Sequence, residues 1–325
     1  MEQKPVTAII VGAGHRAFVY SNLAKTNPEL LKIVGVADPN PIRRKKAMDE
    51  FGFSEDMCFE NAEELAKHGK LADTVINGTM DEQLLELYSD IHPILSDAVG
   101  KWNDDASHSI RISNPWLLHV SDKYANAAKR VMLIGQEPWG WKGQYSNEKS
   151  AEWLMEKYRV FIDHQTTKGE YRPSPIWNLY RNIIEWGRES NTHVISNNIG
   201  KLCYVKKNKD GKWEAGTHGF HETVNRLMIP IFRKEIEICQ PDIIIFVCGK
   251  DYEHKYIREW LGDYEAVGVE GISKEKLAEL RFNDSSLHLP KVIRTYHPRY
   301  LQMNKNKTNW GKEIYSILEK AIRDL

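Results

Sequence analysis

Short apolar runs alternate with longer amphipathic stretches through the second half of this chain. The runs are Val131 to Ile134, His193 to Ile195, Asp242 to Val247 and Val292 to Thr295, and each gives way abruptly to polar residues. Brief apolar runs bounded by turn-forming residues read as strands buried on both faces. Between them the spacing predicts helices over Ser121 to Arg130, Lys149 to Asp163, Pro175 to Trp186, Asp251 to Leu261 and Lys312 to Asp324. A further helix is predicted over His221 to Cys239, kinked at Pro230. Leu202 to Val205 and Trp213 to Ala215 bracket Asp210-Gly211, a strong hairpin signal. Strands alternating with helices predict an α/β fold whose central parallel sheet has helices on both faces.

The first 82 residues follow a separate pattern. A strand over Thr7 to Val11 leads into Gly12-Ala13-Gly14-His15-Arg16-Ala17 and a helix through Lys25. A second strand, Lys32 to Ala37, ends in Asp38, and Ala72 to Ile76 reads as a later strand. This predicts a small N-terminal βαβ half-Rossmann unit over residues 1–82 and a second domain over 83–325. The second domain starts with a helical stretch from Leu84 to Asp97. No linker rich in Pro, Gly or Ser marks the join near Met80 to Gln83.

Composition narrows the classes. A hydrophobic fraction of 41% is ordinary for a chain with a real core. The absence of a run of 18 apolar residues argues against a membrane helix. A start without a basic, then apolar, stretch argues against a signal peptide and for the cytoplasm. Residues 1–82 carry 10 Lys+Arg against 13 Asp+Glu, leaving 35 against 32 in the rest. That imbalance is too small to argue for DNA alone, although a local basic patch is enough to meet a few phosphates. Cys58, Cys203, Cys239 and Cys248 lack metal-ligand spacing and read as buried thiols. His218-Gly219-Phe220-His221-Glu222 lacks the His-Glu-x-x-His spacing, so no metal is expected.

The candidate chemistry lies just after the apolar runs, where open α/β sheets bind ligands. Gly135-Gln136-Glu137-Pro138-Trp139 follows the first run, Ser196-Asn197-Asn198 the second, and Tyr296-His297-Pro298 the last. In this order the segments VMLIGQEPWGW, VISNNIGK and VIRTYHPRYL resemble the uracil-DNA glycosylase superfamily, over roughly Gln83 to Leu325. The resemblance implies a DNA glycosylase that excises uracil or another deaminated or damaged base, with no cofactor or metal. Glu137 stands where a branch of that family has its water-activating Asp, one methylene shorter. His297 matches the histidine that donates to the departing base. The resemblance assigns base contacts to Gln136 and Asn197, with Asn198 a rival, because a one-residue slip swaps the faces of a strand. It makes Trp139 a pocket wall, Arg299 a DNA contact and Leu301 the apolar wedge that enters the DNA stack.

In the first domain, Gly12, Gly14 and Asp38 fit the dinucleotide fingerprint: a tight turn, close backbone approach, and an acid for the ribose. Asp38-Pro39-Asn40 and Glu60 to Leu65 resemble the family of glucose–fructose oxidoreductase and inositol dehydrogenase. That family's Glu-Lys-Pro segment and large substrate domain are missing, so the unit reads as truncated and structural. Two alternatives to the glycosylase stay open: a non-catalytic nucleic-acid or nucleotide binding module of the same fold, and an NAD(P)-dependent oxidoreductase acting through the N-terminal unit.

Overall fold

The computed structural model describes residues 4–167, 173–216, 219–283, 289–304 and 309–325, apart from the side chains of His15, Arg16 and Val19. His218 lies outside the described residues. The chain divides into two compact units, Met1–Gln83 and Leu84–Leu325.

In the first unit, β1 (Val6–Val11), β2 (Leu31–Ala37), β3 (Cys58–Phe59) and β4 (Thr74–Asn77) form one sheet in the order β3-β2-β1-β4. All pairings are parallel. This is the strand order of one half of a doubly wound sheet. Ala8, Ile10, Ile33 and Val36 fill its core with Ala17 and Ala47 from the covering helices. Helix Pro41–Phe51 starts cleanly because Asn40 accepts from the N–H groups of Ile42 and Arg43, and Pro41 needs no hydrogen bond there. The expected helix through Lys25 is instead two short ones, His15–Ser21 and Leu23–Thr26.

The second unit holds β5 (Arg111–Ile112), β6 (Lys129–Gly135), β7 (Thr192–Asn198), β8 (Tyr204–Lys207), β9 (Trp213–Ala215), β10 (Ile243–Phe246), β11 (Tyr264–Gly268), β12 (Leu277–Phe282) and β13 (Lys291–Thr295). Six of these make the main sheet, ordered β11-β12-β13-β10-β6-β7. The four strands from β13 to β7 are parallel. The antiparallel hairpin β11–β12 extends β13 outward. Central residues from Val131 to Ile134 and from Ile243 to Phe246 are all buried, which is why they read as unbroken apolar runs. On one face Val131, Leu133, Ile243, Ile245 and Ile293 pack with Leu179 and Ile183 of helix Pro175–Trp186, and with Ile314 and Leu318 of helix Trp310–Arg323. Each such side chain contributes about 1.5–3 kcal/mol of burial.

Several elements depart from the sequence expectation. The strand at His193 runs on to Asn198, because its backbone pairs with β6 residue for residue, from Lys129↔Thr192 to Gly135↔Asn198. The predicted helix at Ser121 shrinks to Asp122–Ala125, since β6 claims Lys129. The stretch from His221 to Cys239 is two helices, Glu222–Arg226 and Ile229–Cys239, and not one kinked helix. Pro230 sits in the first turn of the second, where a missing N–H costs nothing. The helical segment from Gly249 to Leu261 is interrupted by a π-turn at Glu253–Ile257.

Strand β7 is the outer edge of the main sheet. Its outward backbone groups are met by phenols. Tyr180 donates to the Val194 carbonyl at 2.7 Å. Tyr158 donates to the Ser196 carbonyl at 2.8 Å and accepts the Ser196 N–H at 3.0 Å.

Candidate functional site

The loop after β6 is shaped by its glycines and by what it rests on. Trp139, Gly140, Lys142 and Gly143 all have positive φ, at 23°, 75°, 54° and 73°. A Cβ on Gly140 would lie 2.9 Å from the Ala215 nitrogen, so only glycine lets the loop settle on the β8–β9 hairpin. The Gly140 N–H donates to Cys203 Sγ at 3.1 Å. Asn114, buried beneath, donates to the carbonyls of Lys142, Gly143 and Gln144 at 3.1, 3.1 and 2.8 Å. Nothing in the sequence pattern singled out Asn114, because its role is contact with backbone distant in the chain.

This scaffold holds Gln136 and Glu137 at the carboxyl end of β6. The Gln136 side chain donates to the Cys248 carbonyl at 2.9 Å, tying the ends of β6 and β10. The Gln136 backbone carbonyl accepts from the Gly200 N–H at 2.7 Å, which draws in the segment after β7. Glu137 is half-buried. One of its carboxylate oxygens accepts from the Tyr252 hydroxyl at 2.8 Å, the other from the Gly219 N–H at 3.3 Å. Glu137 and His297 follow the carboxyl ends of β6 and β13, two parallel strands of the main sheet with β10 between them, and the Glu137 charge reaches His297. Burial lowers the His297 pKa below the usual imidazole value, and the Glu137 charge opposes that shift. His297 Nδ1 accepts the Arg299 N–H at 3.2 Å. In the neutral ring the proton is therefore on Nε2, which is left as the donor.

The two asparagines at the end of β7 separate sharply. Asn197 is fully buried. Its amide nitrogen donates to Glu235 at 2.9 Å, and its oxygen accepts from Lys201 and from the Asn198 N–H. Lys201 and Glu235 form a wholly buried ion pair at 2.5 Å, and Tyr88 donates to the same carboxylate at 2.6 Å. Burial lowers the Lys201 pKa and the Glu235 charge opposes it. Asn197 is thus spent on an internal network, which does not suit the base-reading role expected of it. Asn198 faces the other way. A Cβ on Gly135 would come within 2.7 Å of its side-chain oxygen, so Gly135 is the residue that leaves it room.

Leu301 is also inside. It is 0% exposed and belongs to the core cluster with Leu179 and Ile314, so it has no side chain to offer a DNA stack. The turn of helix Pro298–Asn304 rotates it inward, and its neighbours Arg299 and Tyr300 are exposed instead. Trp139 is 60% exposed, a position for stacking rather than for closing a wall. A cavity of about 690 Å³ lies beside edge strand β7, lined by His119, Tyr158, Arg159, Arg181 and His193 among others, and holds none of the candidate residues.

In the N-terminal unit, Gly12 takes the expected tight turn at φ 76°, and a Cβ there would meet the Thr79 nitrogen at 2.8 Å. A Cβ on Gly14 would meet nothing closer than 4.0 Å. Asp38, however, is 2% exposed. Its two oxygens accept from the N–H groups of Ala13 and Asn40 at 2.7 and 2.8 Å, and Arg43 stands 3.8 Å away. Both oxygens of this acid are thus held by backbone N–H groups, one of them from the glycine turn itself. Among the described residues, no group of three His, Cys, Asp or Glu is placed to hold a metal, and no helix is long and apolar enough to cross a membrane.

Comparison with known proteins adds a family. No curated protein matches this chain. Among solved structures, SMUG2 from Pedobacter heparinus is 12% identical, covering 71% of this chain and 99% of its own, with a TM-score of 0.37. The WlbA dehydrogenase of Chromobactrium violaceum, solved with NADH and UDP-GlcNAcA, is 13% identical over 92% of this chain and 68% of its own, with a TM-score of 0.23. Residues 123–319, well over half of the chain, match the family described as the uracil DNA glycosylase superfamily. That match places the chain in the uracil DNA glycosylase superfamily.

Proposed function

We propose that the C-terminal unit hydrolyses the N-glycosidic bond of a deaminated or damaged base in DNA. The observation that carries this reading is the placement of Glu137 and His297 just after the carboxyl ends of two parallel strands of one sheet, with the histidine holding its proton on Nε2. Glu137 orients a water and takes its proton as the water oxygen bonds to the sugar carbon. The glycosidic bond breaks, and its electron pair leaves with the base. The His297 Nε2–H donates to the base oxygen where that charge develops. Gln136 and Asn198 contact the base edge, Trp139 offers a stacking face, and Arg299 meets a phosphate. Tyr300 and Met303, both exposed, replace Leu301 as the side chains of that helix facing the solvent.

The test is base release from oligonucleotides carrying uracil, hypoxanthine or xanthine. Loss in both Glu137→Ala and His297→Ala supports the reading and names the base. A protein that releases no base from any of them leaves the second reading, a non-catalytic nucleic-acid or nucleotide binding module. That reading draws on the fact that both Glu137 oxygens already hold hydrogen bonds. For the N-terminal unit, the burial of Asp38 supports a structural role without NAD(P). Binding of NAD(H) or NADP(H) at micromolar concentration would contradict this.

A further inference from the structure

Tyr252 has no part in the sequence motifs, yet it reaches the carboxylate on which the proposed chemistry depends. Its hydroxyl donates to one Glu137 oxygen at 2.8 Å, while the Gly219 N–H engages the other at 3.3 Å. Glutamate has one more rotatable bond than aspartate, so an unrestrained Glu137 carboxylate samples more positions than a shorter acid would. Two donors on opposite oxygens fix both the place and the plane of the carboxylate.

Tyr252 is itself held firmly. Its ring packs against Phe220 and Tyr256, with centroids at 6.3 and 5.3 Å. The next residue, Glu253, begins the π-turn and is buried in an ion pair with Arg294 of β13. Arg294 also donates to the carbonyls of Glu275 and Lys274, at 3.1 and 2.6 Å, and Tyr264 donates to Glu253 at 3.0 Å. π-turns are rare and recur at functional sites, where the extra residue re-aims a side chain. Here the turn follows directly on the residue that meets Glu137.

We infer that Tyr252 is a positioning residue for Glu137, clamping the longer carboxylate with Gly219 so that a glutamate can do the work of a shorter acid. The inference rests on the glycosylase reading above. Burial and the Glu137 charge both raise the Tyr252 pKa above the ordinary phenol value, so the hydroxyl keeps its proton near neutral pH.

The experiment compares Tyr252→Phe, Glu137→Gln and the double variant in single-turnover and steady-state base release. Folding is checked by thermal melting. The expected result is a kcat about tenfold lower in Tyr252→Phe with KM unchanged, as for loss of one hydrogen bond to a charged group. In the Glu137→Gln background the same change should have no further effect. A second readout does not need activity: with ring-labelled tyrosine, the Tyr252 ring resonances should shift in Glu137→Gln, because the charged acceptor of its hydroxyl is gone. Full activity in Tyr252→Phe beside an inactive Glu137→Gln overturns the clamp and leaves the glycosylase reading standing. An additive double variant, or a phenol that does not respond, also overturns the clamp. A wild-type protein that releases no base overturns both.

Discussion

Asp38 and Glu137 occupy equivalent places in two different sheets. Each follows the end of a parallel strand, and each has both carboxylate oxygens hydrogen-bonded. The difference lies in what surrounds them. Asp38 is 2% exposed, and its donors are the backbone N–H groups of Ala13, in the glycine turn after β1, and of Asn40, two residues on. Glu137 is half-buried, takes its donors from two distant segments, and is electrically coupled to a histidine. A carboxylate after a strand is therefore not a site in itself. Asp38 ties the turn after β2 to the glycine turn after β1 through backbone alone, whereas Glu137 is held by a side chain and a backbone N–H from two other segments of its unit.

The sharpest test of that contrast is activity. Glu137→Ala should lower base release by about a thousandfold or more, as for loss of a water-positioning carboxylate. Asp38→Ala, assayed in parallel, should leave the rate of the folded protein unchanged. Equal losses would erase the distinction. A third acid sets the structural scale. Glu235→Ala leaves buried Lys201 without its partner and should cost about 3–5 kcal/mol in urea unfolding. A loss under about 1 kcal/mol would mean that water enters the network. Asp38→Ala should destabilise the N-terminal unit by about 1–3 kcal/mol, since it orphans two backbone donors. Hydrogen exchange at Ala13 and Asn40 would report it, and unchanged protection would refute it.

The smallest effect is on pH. The His297 pKa lies below its ordinary value of 6.5, chiefly through burial. Above that value both folded and unfolded chains are neutral at this ring, so it contributes nothing to stability. As pH falls below 6.5 the unfolded chain gains a proton that the folded chain resists, and stability is lost. The neutral donor should persist into that same range. Glu137→Gln removes the opposing charge and should lower the His297 pKa further, which imidazole NMR can follow. A rise would place the two side chains differently.

Much of this was legible in the sequence, and the failures share a cause. Strand positions were readable because β6 and β10 are buried on both faces and so uniformly apolar. Gln136, Glu137 and His297 could be singled out because they lie just after β6 and β13. Asn197 and Asn198 were not separable, because the face each one takes depends on pairing with β6 and not on any local pattern. Leu301 was misplaced because the rotation of a seven-residue helix against the core decides whether it is inside. Tyr252 and Asn114 were invisible because their partners are 115 and about 30 residues away in the chain. The hairpin β11–β12 was missed, since half-exposed strands such as Glu265 to Gly268 carry no continuous apolar run.

The tyrosines along the outer margin of β7 have one more consequence. A strand with bare carbonyls at the border of a sheet invites another chain to add to it. Here Tyr158 and Tyr180 already occupy Val194 and Ser196. Such caps also work as a phase lock. If the strand slid by one residue, Asn197 and Asn198 would exchange faces, and the phenols would have to give up Val194 and Ser196. The amide of Asn197 would then leave Glu235 and Lys201, and that of Asn198 would take its side of the sheet. Two hydroxyl groups on the rim thus guard which asparagine joins the Glu235 network and which lies against Gly135.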